Sequence, residues 1–400
     1  MRAWYGSPVN RQVVIVAAAL LVAMLGSNVP APLYEMYRVR FGTTTFVMTA
    51  VFAAYPLALA VMLALFAGLP DRLGRRPVLA IGLIAAAAGS IFFATANGVA
   101  ALFAGRVCAA IAIGAVGAAG PPALVELDPT GDRRRAALVA TFALSFACGL
   151  APFASGVLAV VTDAPLVVAF VAHVVLCAVV LVALVLVPET KPSGGGPHVV
   201  MPRLDAVGRR AFVTASLASG VVWWLASLFV SVVPAYVGTL LGVRSPALQG
   251  ALALVVFVVS PVAQTLGRRL PDRVAMRSGL LLAAAAFATL LAAVPAHSLA
   301  LFGFGSVVAG AAQGLGFLGA QSTINHIAAP AARARLSAAF YAITYICIGL
   351  PILGVGALTA RAGLYAALTW VGGLLMTLGL LVAAAVPRET AQLPEAVSVS

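Results

Sequence analysis

Apolar stretches of about 18–26 residues recur along the whole chain, separated by short segments in which Arg, Asp, Glu and Pro collect. At ~1.5 Å rise per residue, each stretch is long enough as a helix to cross a ~30 Å hydrocarbon layer. Twelve are predicted, at approximately 12–34, 45–67, 77–95, 99–123, 136–160, 165–187, 212–237, 247–266, 278–295, 299–324, 337–360 and 364–386. We refer to them as spans 1 to 12. The first follows Arg2 and Arg11 in the manner of a signal peptide, but it is too long for one and is read as a retained helix. The expected fold class is an all-α membrane protein.

The polar segments between the spans repeat. Leu69-Pro70-Asp71-Arg72 after span 2 returns as Leu270-Pro271-Asp272-Arg273 after span 8. Pro129 with Arg133, Arg134 and Arg135 before span 5 is echoed by Pro330 with Arg333 and Arg335 before span 11. Gly149-Leu150-Ala151-Pro152 inside span 5 matches Gly349-Leu350-Pro351 inside span 11, and Val187-Pro188-Glu189-Thr190 matches Val386-Pro387-Arg388-Glu389-Thr390. Offsets of 199–201 residues therefore divide the chain into two six-helix halves. Six is even, so both halves enter the bilayer from the same side, as a parallel repeat about an axis along the membrane normal. The expected organisation is an N-terminal bundle over 1–187, a Gly/Pro-containing linker over 188–211, a C-terminal bundle over 212–390 and a tail over 391–400.

Composition agrees: 63% of residues are apolar and 9% charged, far from the ~25% charged of soluble domains. The net charge of +13 would suggest nucleic acid if it were not placed so unevenly. With a cytoplasmic N-terminus, Arg38, Arg40, Arg244 and Arg361 fall outside, Arg106 falls within span 4, and the remaining nineteen basic residues lie inside. That is the positive-inside asymmetry of an inner-membrane protein with both termini cytoplasmic, and it removes the case for nucleic acid. Lys191 is the single lysine and no phosphate-binding loop surrounds it, so ATP is not expected. Cys108, Cys148, Cys177 and Cys347 lie in apolar spans as small packing residues, and the four histidines are dispersed, so neither a metal nor another cofactor is expected. No nucleophile or paired-carboxylate motif supports an enzyme.

Leu69-Pro70-Asp71-Arg72-Leu73-Gly74-Arg75-Arg76 resembles the 2–3 loop signature of the major facilitator superfamily, with Ala67 where that signature has its first Gly. Gly105-Arg106 followed by Gly114 and Gly117 resembles the family's helix 4 motif. Gly149, Pro152 and Gly156 resemble its helix 5 antiporter motif, with Ala151 and Ser155 replacing two glycines. The resemblance covers essentially the whole chain and implies a monomeric, twelve-helix secondary transporter that rocks its halves about a central site. The branch it resembles by motif is the drug:proton antiporters. This implies proton-coupled export of a small organic solute, with proton-coupled or facilitated uptake of a metabolite, or a non-transporting sensor, as alternatives.

The same resemblance implies a conformational latch of Asp71, Arg72, Gly74, Arg75 and Arg76. Asp71 would face the N-terminal end of helix 11, and Arg75 would pair with Glu126 at the end of helix 4. Gly74 permits a tight turn there. Arg106, whose charge costs at least ~2.5–3.5 kcal/mol in a bilayer, is either a cavity-facing substrate or coupling group or an interhelical strut. Glu35 is either a proton carrier or an interfacial carboxylate paired with Arg38. Trp223 and Trp224 cannot face the same way at ~100° per residue, so one can line a cavity while the other packs. Asn28, Gln313, Gln321 and Asn325, with Tyr341 and Tyr345, are the polar positions expected to face inward, as substrate contacts or as interhelical glue. His173 on span 6 is expected to be a buried neutral residue. Because Arg106 is the clear intramembrane charge, a neutral or weakly anionic solute stacked on aromatics is expected rather than a cation.

Overall fold

The computed structural model describes residues 10–128, 133–190, 206–232, 236–238, 242, 245–328 and 333–386. Among these, eleven helices are long and apolar enough to cross a membrane: Arg11–Arg40, Thr45–Phe66, Arg75–Ala94, Val99–Leu127, Val139–Val161, Pro165–Leu186, Val207–Ser231, Pro246–Gly267, Asp272–Ala293, Leu299–Ile327 and Arg335–Ala385. The last is two spans in one. It breaks at Gly363 (φ 80°, ψ 162°), a conformation open to glycine and strained for other residues, and the two sides are predicted spans 11 and 12. The twelve-helix, all-α reading therefore holds. Predicted span 7 runs too late: its helix starts at Ala206, ahead of the apolar stretch, and ends at Ser231.

The helix starts are set by short polar side chains. Asn10, Thr44, Ser245 and Ser298 cap spans 1, 2, 8 and 10, each accepting a backbone N–H two or three residues on, and Pro246 then opens span 8 where a missing N–H costs nothing. Asn10 also donates its amide to the Leu127 carbonyl at 2.8 Å, tying the start of span 1 to the end of span 4. Span 1 is interrupted by a 3₁₀ turn over Ala31–Leu33, where Pro30 and Pro32 remove two backbone donors. All three turn residues are buried, against spans 5, 7 and 8.

Within the first half span 1 packs on 4, 5 and 6, span 3 lies between 4 and 6, and span 2 lies on 4. In the second half spans 7, 8 and 9 all pack on 10. The halves meet along two seams, span 5 against span 8 and span 2 against span 11. Glycines make both seams close. A Cβ on Gly149 would lie 2.9 Å from the Leu254 Cα, and one on Gly156 would overlap the Pro246 carbonyl; Gly250 of span 8 returns the contact against Pro152. In the other seam, Gly349 presses on Leu57 and Gly356 on Thr49. Each pair is seven residues apart, two helical turns, hence on one face. Lipid tails are as apolar as leucine, so such seams hold by close van der Waals approach, which small residues permit.

Buried polar groups are satisfied across helices. His173, 2% exposed, must donate from Nε2 to the Val22 carbonyl (2.8 Å), which leaves Nδ1 to accept from the Ser90 hydroxyl (2.7 Å). The histidine thus joins spans 1, 3 and 6 as a neutral ring, with Gly26 leaving it room. Gln313 accepts from Ser260, and Gln264 donates to the same hydroxyl at 3.2 Å, fastening span 8 to span 10.

Candidate functional site

A small cavity of about 60 Å³ lies where both seams meet. Its walls come from spans 1, 2 and 5 of the first half and 7, 8 and 11 of the second, which correspond pairwise in the repeat. Asn28, Tyr55, Cys148, Trp223, Phe257 and Tyr345 supply one lining residue from each. The volume accommodates a few waters and no organic solute, so the site is contracted in this conformation. Its surface is almost wholly aromatic or aliphatic. Tyr55 and Tyr345 meet edge to face across the two halves, ring centroids 6.4 Å apart, and Trp223 packs on Phe257 and Phe317 at 6.3 and 5.6 Å.

Arg106 stands immediately behind this wall. The side chain, 1% exposed, donates from one guanidinium nitrogen to the Ser27 carbonyl (2.5 Å) and from the other to the Phe52 carbonyl (3.2 Å). Its Cζ lies 4.6 Å from the Tyr55 ring centre and 5.2 Å from that of Phe52, so both rings present their negative faces to the cation. Among the described residues it forms no ion pair, and its Nε has no partner. An unneutralised guanidinium in hydrocarbon, screened from the cavity by one layer of aromatic ring, makes the cavity electropositive. Trp223, which lines the cavity, has a buried Nε1 with no partner among the described residues. Such a group gains when a ligand brings an acceptor to it.

The other predicted positions divide. Asn28 lines the cavity and donates to the Ser27 hydroxyl at 2.8 Å. Of the tryptophans, Trp223 lines it while Trp224 is fully buried against Phe287, as the helical angle requires. Tyr345 lines it; Tyr341 instead packs on Phe317 and Phe340. Glu35 is held by Arg38 in a bidentate pair at 2.6 and 2.7 Å in a separate small pocket. Span 10 brings none of its amides to the cavity: Gln313 is the strut to span 8, and Gln321 donates to Asn325 at 3.4 Å toward the far end of the helix. Tyr55 and Phe52, which also line the cavity, were not singled out from the sequence.

At the end of the bundle that holds the 2–3 loop, Arg75 bridges Asp71 (3.0 Å) and Glu126 (3.2 Å), the latter pairing as anticipated. Gly74 adopts φ 97°, and a Cβ there would lie 2.5 Å from the Glu189 carboxylate. That carboxylate accepts the backbone N–H groups of Arg75 (2.7 Å) and Arg76 (3.0 Å), capping the positive end of span 3. Thr190 donates to Glu126 beside it. Glu189 was missed as a functional position; its recurrence in the repeated segment after span 6 was the available signal. Arg72 is exposed. The helix of span 11, whose N-terminal end Asp71 was expected to face, starts at Arg333, and residues 329–332 just ahead of it lie outside the described residues.

The chain matches the model of the Major Facilitator Superfamily over residues 16–352. Among solved structures it is similar to a POT family transporter in complex with a thioalcohol-conjugated peptide (TM-score 0.80, 12% identity, covering 95% of this chain and 96% of that one). A D-xylose-proton symporter gives a TM-score of 0.77 at 17% identity, covering 96% of this chain and 98% of that one. The human organic anion transporter MFSD10 (TETRAN) gives 0.68 at 18% identity, covering 94% and 100%. A search of curated protein sequences gave no match.

Proposed function

Because this chain belongs to the major facilitator superfamily, a family of transporters, we propose that it exports a small organic solute in exchange for protons, by alternating access about the cavity between its halves. The observation that carries this reading is that cavity: every wall is shared by the two halves, and both of its flanks are glycine seams that can part and re-form. The substrate class follows from the lining. Aromatic faces favour a flat, amphiphilic solute, and Arg106 behind them favours a neutral or anionic one over a cation. The structural neighbours are transporters of, or are seen in complex with, peptides, 5-aminolevulinic acid, a sugar and organic anions, all small organic solutes. The export direction rests on the resemblance of Gly149, Pro152 and Gly156 to the antiporter motif, in which Ala151 and Ser155 replace two glycines. By the charge pattern, both termini face the cytoplasm of an inner membrane.

Compounds that bind the folded protein raise its melting temperature, which selects a substrate for flux measurements. Proteoliposomes loaded with a pH-sensitive dye then read the coupling. Adding substrate outside is expected to make the lumen more alkaline, as protons leave against entering solute. Acidification would mean symport and hence uptake, and solute flux with no dye response would mean facilitated passage.

The cluster of Asp71, Arg75, Glu126 and Glu189 acts in this reading as the latch at the cytoplasmic end. Each exposed pair is worth only ~0–1 kcal/mol, but a bias of ~1.4 kcal/mol already changes a conformational population about tenfold. Asp71→Asn and Glu189→Gln are each expected to slow transport by about that factor while expression and equilibrium substrate binding hold. Wild-type rates in both variants would reduce the cluster to a topology signal.

A further inference from the structure

Two clefts open sideways toward the bilayer at the end of the bundle that carries the 2–3 loop, and they differ in charge. The one between spans 3 and 6, about 620 Å³, holds Arg76, but Glu189 stands in the same cleft on the backbone of Arg75 and Arg76. The one between spans 7 and 12, about 500 Å³, holds Arg209 and Arg210, and among the described residues that line it there is no acid. Both arginines are exposed. Arg210 is oriented by a donation from Nη2 to the Ala385 carbonyl at the end of span 12 (3.4 Å), and among the described residues the rest of its guanidinium fork has no other acceptor. Below them the cleft is apolar: Val382 and Thr214 form a buried floor, while Val213 and Leu381 stand open to the hydrocarbon at 51% and 64% exposure.

We propose that the cleft between spans 7 and 12 is a binding site for an anionic phospholipid, with Arg209 and Arg210 on the headgroup phosphodiester and Val213, Leu217 and Leu381 along the first part of an acyl chain. The two guanidiniums supply the planar donors that suit phosphate oxygens. The apolar walls continue from them in the direction a lipid lies. A free phosphate would meet the same arginines and leave those walls unused, so the lipid is the occupant the geometry favours. Two basic side chains at a bilayer surface together correspond to a preference of about thirtyfold for an anionic over a zwitterionic headgroup. The contrast with the 3–6 cleft gives the site its selectivity, since there a carboxylate would repel the same ligand.

The purified full chain in neutral detergent is titrated with phosphatidylglycerol or with phosphatidylcholine of the same acyl chains, and thermal stability is followed. Phosphatidylglycerol is expected to stabilise saturably, half-maximally at about thirtyfold lower mole fraction than phosphatidylcholine. Arg209→Gln/Arg210→Gln should abolish that preference, whereas Arg273→Gln/Arg277→Gln, which removes an equal charge from the start of span 9, should keep it. Should the first double variant fail to fold, Val213→Trp in the otherwise unaltered chain reports directly: the fluorescence it adds should be quenched by brominated phosphatidylglycerol well before brominated phosphatidylcholine. A preference that survives in Arg209→Gln/Arg210→Gln, equal quenching by the two brominated lipids, or stabilisation by inorganic phosphate matching that by phosphatidylglycerol would each overturn the assignment. The last would make the arginines a free-anion site.

Discussion

Arg106→Gln is expected to lower the affinity for an anionic solute by roughly thirtyfold and to leave the affinity of a matched neutral analogue nearly unchanged. A charge ~7 Å from the ligand at an effective dielectric constant of ~20 contributes about 2 kcal/mol, which is that factor. Glutamine keeps a donor near the Ser27 and Phe52 carbonyls but removes the cation that polarises the Tyr55 and Phe52 rings. Stability separates the two roles open to this side chain. A guanidinium that merely fastens span 4 to spans 1 and 2 would lower the melting temperature when shortened, and would do so without regard to ligand charge. An unpaired buried cation kept for function costs stability while present, so its removal should leave the melting temperature unchanged or raise it. Arg106→Lys, which retains charge and loses the fork, should fall between wild type and Gln in anion affinity. Competition assays with matched anionic, neutral and cationic compounds read all three proteins. Equal losses for all ligand charges, together with a destabilised Gln variant, would make Arg106 a strut and remove the basis for an anionic substrate.

A side chain placed in either seam should stop the cycle. For Gly156→Val and Gly356→Val we expect transport to fall at least about tenfold with a clear loss of thermal stability, because overpacking costs ~1–3 kcal/mol where surroundings can yield. Here one obstacle is backbone: Gly156 faces the Pro246 carbonyl, which cannot rotate away as a side-chain end would. Gly356 faces Thr49, whose own hydroxyl is committed to the Phe46 carbonyl at 2.8 Å. Gly303→Val is the matched control, since a Cβ there meets nothing within 4 Å, and it should be silent in both assays. The pairing also predicts symmetry, with the two seam variants showing similar defects. A defect confined to Gly156→Val would assign the effect to the span 5 motif alone, and normal flux in both would show that the seams tolerate a wider spacing.

What the sequence determined follows from the solvent. A chain in hydrocarbon must close its backbone hydrogen bonds within each segment, so about twenty apolar residues between charged punctuation can only be a helix, and twelve such stretches were countable without any tertiary information. The repeat was legible because its marks, Pro-Asp-Arg after spans 2 and 8 and Gly-Leu within spans 5 and 11, are short motifs that recur at nearly constant offsets. Local pairs were legible for the same reason that helices are regular: Glu35 and Arg38 are three apart, and Trp223 and Trp224 are adjacent and so diverge.

Tertiary structure alone decided which face of each helix looks inward. In water an amphipathic stripe marks the buried face, but in lipid the outer and inner faces are both apolar, and periodicity loses its meaning. The sequence therefore could not say that Gln313 turns to Ser260 and away from the cavity, or that Tyr345 lines it while Tyr341 packs beside Phe340. Nor could it give Arg106 its acceptors, since the carbonyls of Ser27 and Phe52 are groups every residue carries and only the crossing of spans 1, 2 and 4 selects them. Glu189 reaches the start of span 3 from 114 residues away, and the partners of the seam glycines lie in the other half of the chain. Contacts across such distances depend on how helices settle against one another, and close packing fixes that arrangement only once all of them are present.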